Sequence, residues 1–125
     1  MNSYYDLLVS ARDAETLASV VGDNGFEPEA ADALADLMME ARLVPNGELP
    51  ATRVAMNSSV TYRDGSGAKR TVRLVHPRDA DPAARRISVL SPVGRALLGR
   101  ERGSTVTASL PGGRGVDIRI IDVER

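Results

Sequence analysis

At residues 44–53, VPNGELPATR, the apolar spacing along this 125-residue chain changes from about 3.6 to 2. Two prolines, one glycine and no period of its own make this stretch a linker. A chain that switches period once in this way folds as helices followed by a sheet. It cannot alternate helix and strand through its length. Residues 1–45 therefore form one unit, 46–53 connect, and 54–125 form the second.

In the first unit LLVS reads as a short extended segment leading into a helix. Ser10 and Asp13 have capping-box spacing, and Ala14, Leu17, Ala18 and Val21 recur on one face. GDNG ends that helix. A second helix, over about Pro28 to Leu43, starts with proline in its first turn and acidic residues near it. Leu34, Leu37, Met38 and Ala41 form its apolar stripe. The two helices read as an antiparallel hairpin with its tip at residues 22–27. Beyond the linker, VTYRDGSGAKRTVRLV is a strand–turn–strand: Val60 and Tyr62 precede an Asp64–Gly67 turn, and Val72 and Leu74 follow it. HPRDADPAARR is a polar loop, ISVL a short strand, and PVGRALLG a short helix from Pro92 to a Gly99 stop. STVTASL and VDIRIIDV are the last strands, reversed at Gly112 and Gly113. The expected class is α+β, with an antiparallel sheet of about five strands carrying one short helix.

Composition removes several functions. The chain has no cysteine and one histidine, His76, which excludes thiolate chemistry and histidine-rich metal sites. MNSYYDLLVSARD lacks a basic leader followed by an apolar core, so a cytoplasmic location without a membrane span is expected. The net charge of −1 hides a division. Residues 1–50 carry ten acidic and two basic side chains, a balance of −8, and the remainder sums to +7. The two ends of the chain face different surroundings, or present two solvated faces of opposite sign. GSGAK lacks phosphate-loop spacing and lies at a hairpin turn. His76 precedes Pro77 at a strand end and reads as a surface residue. With Tyr62 the only aromatic of the second unit and no recognition helix, sequence-specific DNA binding is not expected.

ISVLSPVGRALLGRERGSTVTASLPGG and the strand after it resemble the C-terminal domain of the transcript-cleavage factors GreA and GreB. YRDGSGAKRTVRLVHPRDADP extends the likeness upstream. MNSSV at Met56–Val60, the SPVG form at Ser91–Gly94 and a short helical hairpin resemble the Rnk family, regulators of nucleoside diphosphate kinase. The resemblance implies an FKBP-like body, no cofactor, and RNA polymerase as partner, met at the rim of its secondary channel. It further implies that an exposed corner of Leu90, Ser91 and Pro92, with Arg95, touches the polymerase. Gre-type factors carry an acidic residue where this chain has Leu90, so the implied contact is apolar.

Three functions follow from these residues. A polymerase-binding regulator would dock its body outside the channel, project its hairpin into the mouth, and compete with Gre-type factors. A cleavage-stimulating factor would use tip carboxylates beside the polymerase's magnesium, for which Asp23 and Glu27 are the candidates. They stand three residues apart, where the Gre pattern has two. A prolyl isomerase needs an aromatic-lined pocket that a body with one tyrosine cannot build. Reach separates the first two: an arm over about Pro28 to Leu43 rises only about 24 Å. Gre-type arms have about twice the residues, which would leave this tip about 20 Å short. The expected function is regulation without cleavage, and no catalytic residue is assigned.

Overall fold

Residues 7–125 are described by a computed structural model. The opening MNSYYD, read above for a leader and counted in the 1–45 unit, lies outside the described residues. The first elements are β1 (Leu8–Ser10), α1 (Ala11–Val21), α2 (Pro28–Glu40) and β2 (Arg42–Val44). Ser10 caps α1 by accepting the Asp13 amide at 3.2 Å. The Asp13 carboxylate does not close the expected box. It accepts the Met56 amide at 3.0 Å and so ties α1 to the body. Leu17 and Val20 are buried, and Ala18, expected in the stripe, is exposed. The buried face is rotated toward Val20 because α1 packs on β1 and β2 as well as on α2.

α2 begins with Pro28 in its first turn and buries Ala31 and Leu34. It stops at Glu40, three residues before the expected end. Arg42, Leu43 and Val44 pair in parallel with Leu8, Val9 and Ser10 instead. ARLV fits a helix by propensity, but a ladder to a partner 34 residues upstream overrides that preference.

The body holds β3 (Ser59–Arg63), β4 (Lys69–Val75), β5 (Arg86–Ser88), α3 (Pro92–Leu97), β6 (Thr105–Ser109) and β7 (Gly115–Glu124). Its five-stranded sheet has the order β5-β4-β3-β7-β6. Every pairing in it is antiparallel except β4 with β5, which is parallel. The all-antiparallel expectation fails there because HPRDADPAARR is a crossover through two 3₁₀ turns, Pro77–Asp79 and Pro82–Ala84. The Asp64 turn holds as read: its carboxylate accepts the Ser66 amide at 2.9 Å and the Ala68 amide at 3.2 Å.

Helices and sheet share one core. Leu17, Val20 and Leu34 join Val60, Leu74, Ile118 and Ile120 of the sheet and Leu97 and Leu98 at α3. Each fully buried leucine among them stabilises the fold by about 1.5–3 kcal/mol. Residues on both sides of 46–53 contribute to this core. Even Leu49 and Arg53 of that stretch are buried, and the Arg53 guanidinium donates to the Gly99 carbonyl at 3.0 Å. No helix among the described residues is long and apolar enough to cross a membrane.

Candidate functional site

The Ser88–Leu98 corner is built around one carbonyl. The Ser91 amide and hydroxyl both donate to the Ser88 carbonyl, at 3.0 and 2.7 Å. The Ser91 hydroxyl oxygen in turn accepts the Gly94 amide at 3.0 Å, capping α3. A Cβ on Gly94 would lie 2.1 Å from the same Ser88 oxygen. α3 therefore sits so close to the β5 end that only glycine fits its first turn. Gly99, at φ +76°, ends the segment in a conformation that disfavours side chains, and its carbonyl accepts the Leu8 amide at 3.1 Å.

This geometry corrects the exposed corner expected at Leu90–Pro92. Leu90 is only 9% exposed and belongs to the core, because the Ser88 and Ser91 bonds turn Val89 and Leu90 inward. Ser91 is committed to its cap. The Arg95 guanidinium donates to the Leu90 carbonyl and braces the corner from outside.

A groove of about 370 Å³ opens beside this corner. It is lined by Leu90, Pro92 and Arg95, by Glu27, Glu29 and Ala30 at the start of α2, and by Ser109, Leu110 and Pro111 where β6 turns toward β7. Four of the residues singled out in the sequence, Glu27, Leu90, Pro92 and Arg95, thus meet in one place. Ser91 and Asp23 are not in its lining. The groove is apolar at Leu90, Pro92 and Leu110 and carries both signs of charge at its edges.

Asp23 lies at the α1–α2 turn and faces the body. Its carboxylate accepts the Gly25 amide at 2.8 Å and pairs with Arg78 at 2.6 Å. Phe26 sets its ring edge-on to His76, 6.1 Å between centroids, and Arg78 lies 5.7 Å from the Phe26 ring centre. The only phenylalanine and the only histidine of the chain thus form, with Arg78, a latch that holds the tip down. His76 is not a free surface residue, and the hairpin does not project. Glu27 is also occupied, accepting the Glu29 amide at 3.4 Å as the cap of α2. Among the described residues no cluster of acidic or histidine side chains could hold a metal ion.

The Gly25 amide first, and then Arg78, hold the half-buried Asp23 carboxyl below its ordinary value of 3.8. A lowered folded-state value stabilises the fold above the unfolded value, and that contribution is lost as pH falls through the folded one. A carboxyl NMR titration should place the Asp23 midpoint below 3.8. Arg78→Ala should raise it only part of the way, since Gly25 is the larger cause. Complete reversion would show that the guanidinium alone sets it.

The model of the family "Transcription elongation factor, GreA/GreB, C-term" matches residues 49–125, which contain the whole corner and sheet. The chain belongs to the GreA/GreB family. It is 36% identical to the Regulator of nucleoside diphosphate kinase of Escherichia coli (strain K12) over 95 residues, 75% of this chain and 70% of that protein. It is 43% identical over 76 residues to Transcription elongation factor GreA of Desulfovibrio desulfuricans, covering 60% of this chain and 46% of that factor. A solved GreA/GreB elongation factor from Nitrosomonas europaea superposes with a TM-score of 0.74 at 35% identity, covering 96% of this chain and 98% of that one. Within this GreA/GreB-family chain, the α2 wall of the groove lies outside the matched residues, whereas the corner and the β6–β7 turn lie inside them.

Residues 27–30 and 109–111 of the groove lie about eighty positions apart in the chain. Leu110 was legible only as a strand end, Pro111 only as a turn residue, and Glu29 and Ala30 only as a helix start.

Proposed function

We propose that the protein is an RNA polymerase-binding transcription regulator that docks through the groove at the rim of the polymerase's secondary channel. There it competes with Gre-type factors and does not stimulate transcript cleavage. In this reading residues 54–125 are an FKBP-like body working in the cytoplasm without a cofactor. The observation that supports it best is the groove, where Pro92, Arg95 and Leu110 of the family-matched body stand against Glu27 and Glu29. An apolar floor with charged edges suits a partner that buries a few side chains and is steered by charge.

Cleavage through Asp23 and Glu27 is the weaker reading on two counts. Both carboxylates already accept backbone amides, and Asp23 also holds Arg78. The 13 residues of α2 rise only about 20 Å. The tip would have to leave its latch and still fall short of a metal that it must approach to about 2.0–2.6 Å.

The test uses purified core polymerase and the full chain. Association with a dissociation constant of about 1 µM or tighter should weaken with salt. Pro92→Arg and Leu110→Asp should each lower it at least about tenfold while the melting temperature changes little. With backtracked complexes the protein should release no 3′ fragment above the intrinsic rate and should slow release by a Gre factor. No association, or cleavage that disappears in Asp23→Ala, would overturn the reading.

A further inference from the structure

A second cavity, of about 360 Å³, shares no lining residue with the groove. It lies where the sheet is incomplete. β5 pairs with β4 only at Arg73–Val75, so the earlier part of β4 has an open edge. On that edge the Arg73 amide donates to the Arg85 carbonyl at 2.9 Å. By the two-residue alternation of a strand, the Thr71 amide points the same way, toward the cavity that Thr71 lines.

Tyr62 closes the inner wall. The residue is 7% exposed, yet its hydroxyl has no hydrogen-bond partner among the described residues. The hydroxyl is not sealed off, so it meets the solvent that fills the cavity and is free to donate to a ligand atom there. Burial raises the phenol's pKa, which keeps it a proton donor at neutral pH. Lys69, Arg70 and Arg85 surround the opening, and no carboxylate lines it. Arg70 is partly compensated by Asp64 at 3.4 Å, whereas Lys69 and Arg85 form no ion pair among the described residues. Arg85 also holds its backbone at φ +61°, where glycine or asparagine would sit with less strain. Ile87 adds an apolar wall.

We propose that this cavity binds a small phosphate-bearing molecule. The Tyr62 hydroxyl and Thr71 amide donate to the phosphate, and Lys69 and Arg85 neutralise it. Cations without a facing carboxylate match a multiply charged tetrahedral anion better than a single carboxylate. The Ile87 wall would meet the apolar part of the ligand.

The experiment is an amide NMR titration of the full chain at constant ionic strength, with pyrophosphate in one arm and AMP in the other. Saturable shifts centred on Thr71, Arg85 and Tyr62 are expected, with a dissociation constant of about 1 mM or tighter. AMP binding more tightly than pyrophosphate would place the nucleoside on the Ile87 wall; equal affinity would confine recognition to phosphate. Arg85→Gly separates function from fold, because glycine eases the backbone while deleting the guanidinium. Its melting temperature should hold or rise while affinity falls about tenfold. Tyr62→Phe, which keeps the ring, should weaken binding about threefold or more. Shifts that do not saturate, or that are unchanged in Arg85→Gly, would mean an adventitious ion only and overturn the site. The polymerase reading rests on other residues and is untouched by either result.

Discussion

Gly94→Ala should destabilise this protein by at least about 3 kcal/mol, the upper end of the usual cost of overpacking. The substitution adds one methyl group and, on an ordinary helix surface, alanine would be stabilising. Here the new Cβ would stand 2.1 Å from the Ser88 carbonyl oxygen and 2.9 Å from the Ser91 hydroxyl. The first contact is with backbone, so no rotamer change relieves it. α3 would have to lift from the end of β5, breaking the Ser91 cap and withdrawing Leu97 and Leu98 from the core. A melting temperature lower by about 10 °C or more is expected from circular dichroism. A variant that melts with the native protein would show that α3 stands off β5 and that the corner is mobile.

Leu90→Asp should be as damaging, by about 3–5 kcal/mol, through a different cause. The side chain is in the core, so the change removes apolar contacts and places a carboxylate among apolar groups. Loss of polymerase binding in this variant would therefore say nothing about a contact. Pro92 is the informative neighbour: it lines the groove, is half-buried, and stands at the first position of α3. Chemical denaturation should find Leu90→Asp largely unfolded in conditions where Pro92→Arg remains folded. Equal stability of the two would return Leu90 to the surface and restore the apolar corner contact.

What the sequence disclosed was whatever is decided by near neighbours. Alternation placed Val60, Tyr62, Val72 and Leu74 inward, and Ser10, Pro28, Pro92 and Gly99 marked helix limits with residues whose preferences are local. Family resemblance, carried by an ordered run of such residues, was legible for the same reason. What it hid depends on partners far along the chain. Arg42–Val44 reads as helix until β1 is beside it. Leu90 reads as the end of a short strand at an exposed corner until the Ser88 and Ser91 bonds turn it inward. Phe26, His76 and Arg78 carry no pattern at all, since the latch joins positions about fifty residues apart. The groove and the Tyr62 cavity are likewise products of assembly, each made from several segments far apart in the chain.

The order of strands has a consequence for how the chain comes into being. β7, the latest of the described strands in chain order, lies inside the sheet between β3 and β6. Until it arrives, the β3–β4 hairpin and β6 are separate pieces with open edges, and Ile118 and Ile120 are missing from the middle of the core. Leu17, Val20 and Leu34 emerge from the ribosome before the strands that complete the surface covering them. The early helices must wait in a loosely formed, apolar state for most of translation, the interval in which a nascent chain depends on chaperones. Vulnerability in this small protein is therefore set less by its finished contacts than by the delay before the strand that closes them.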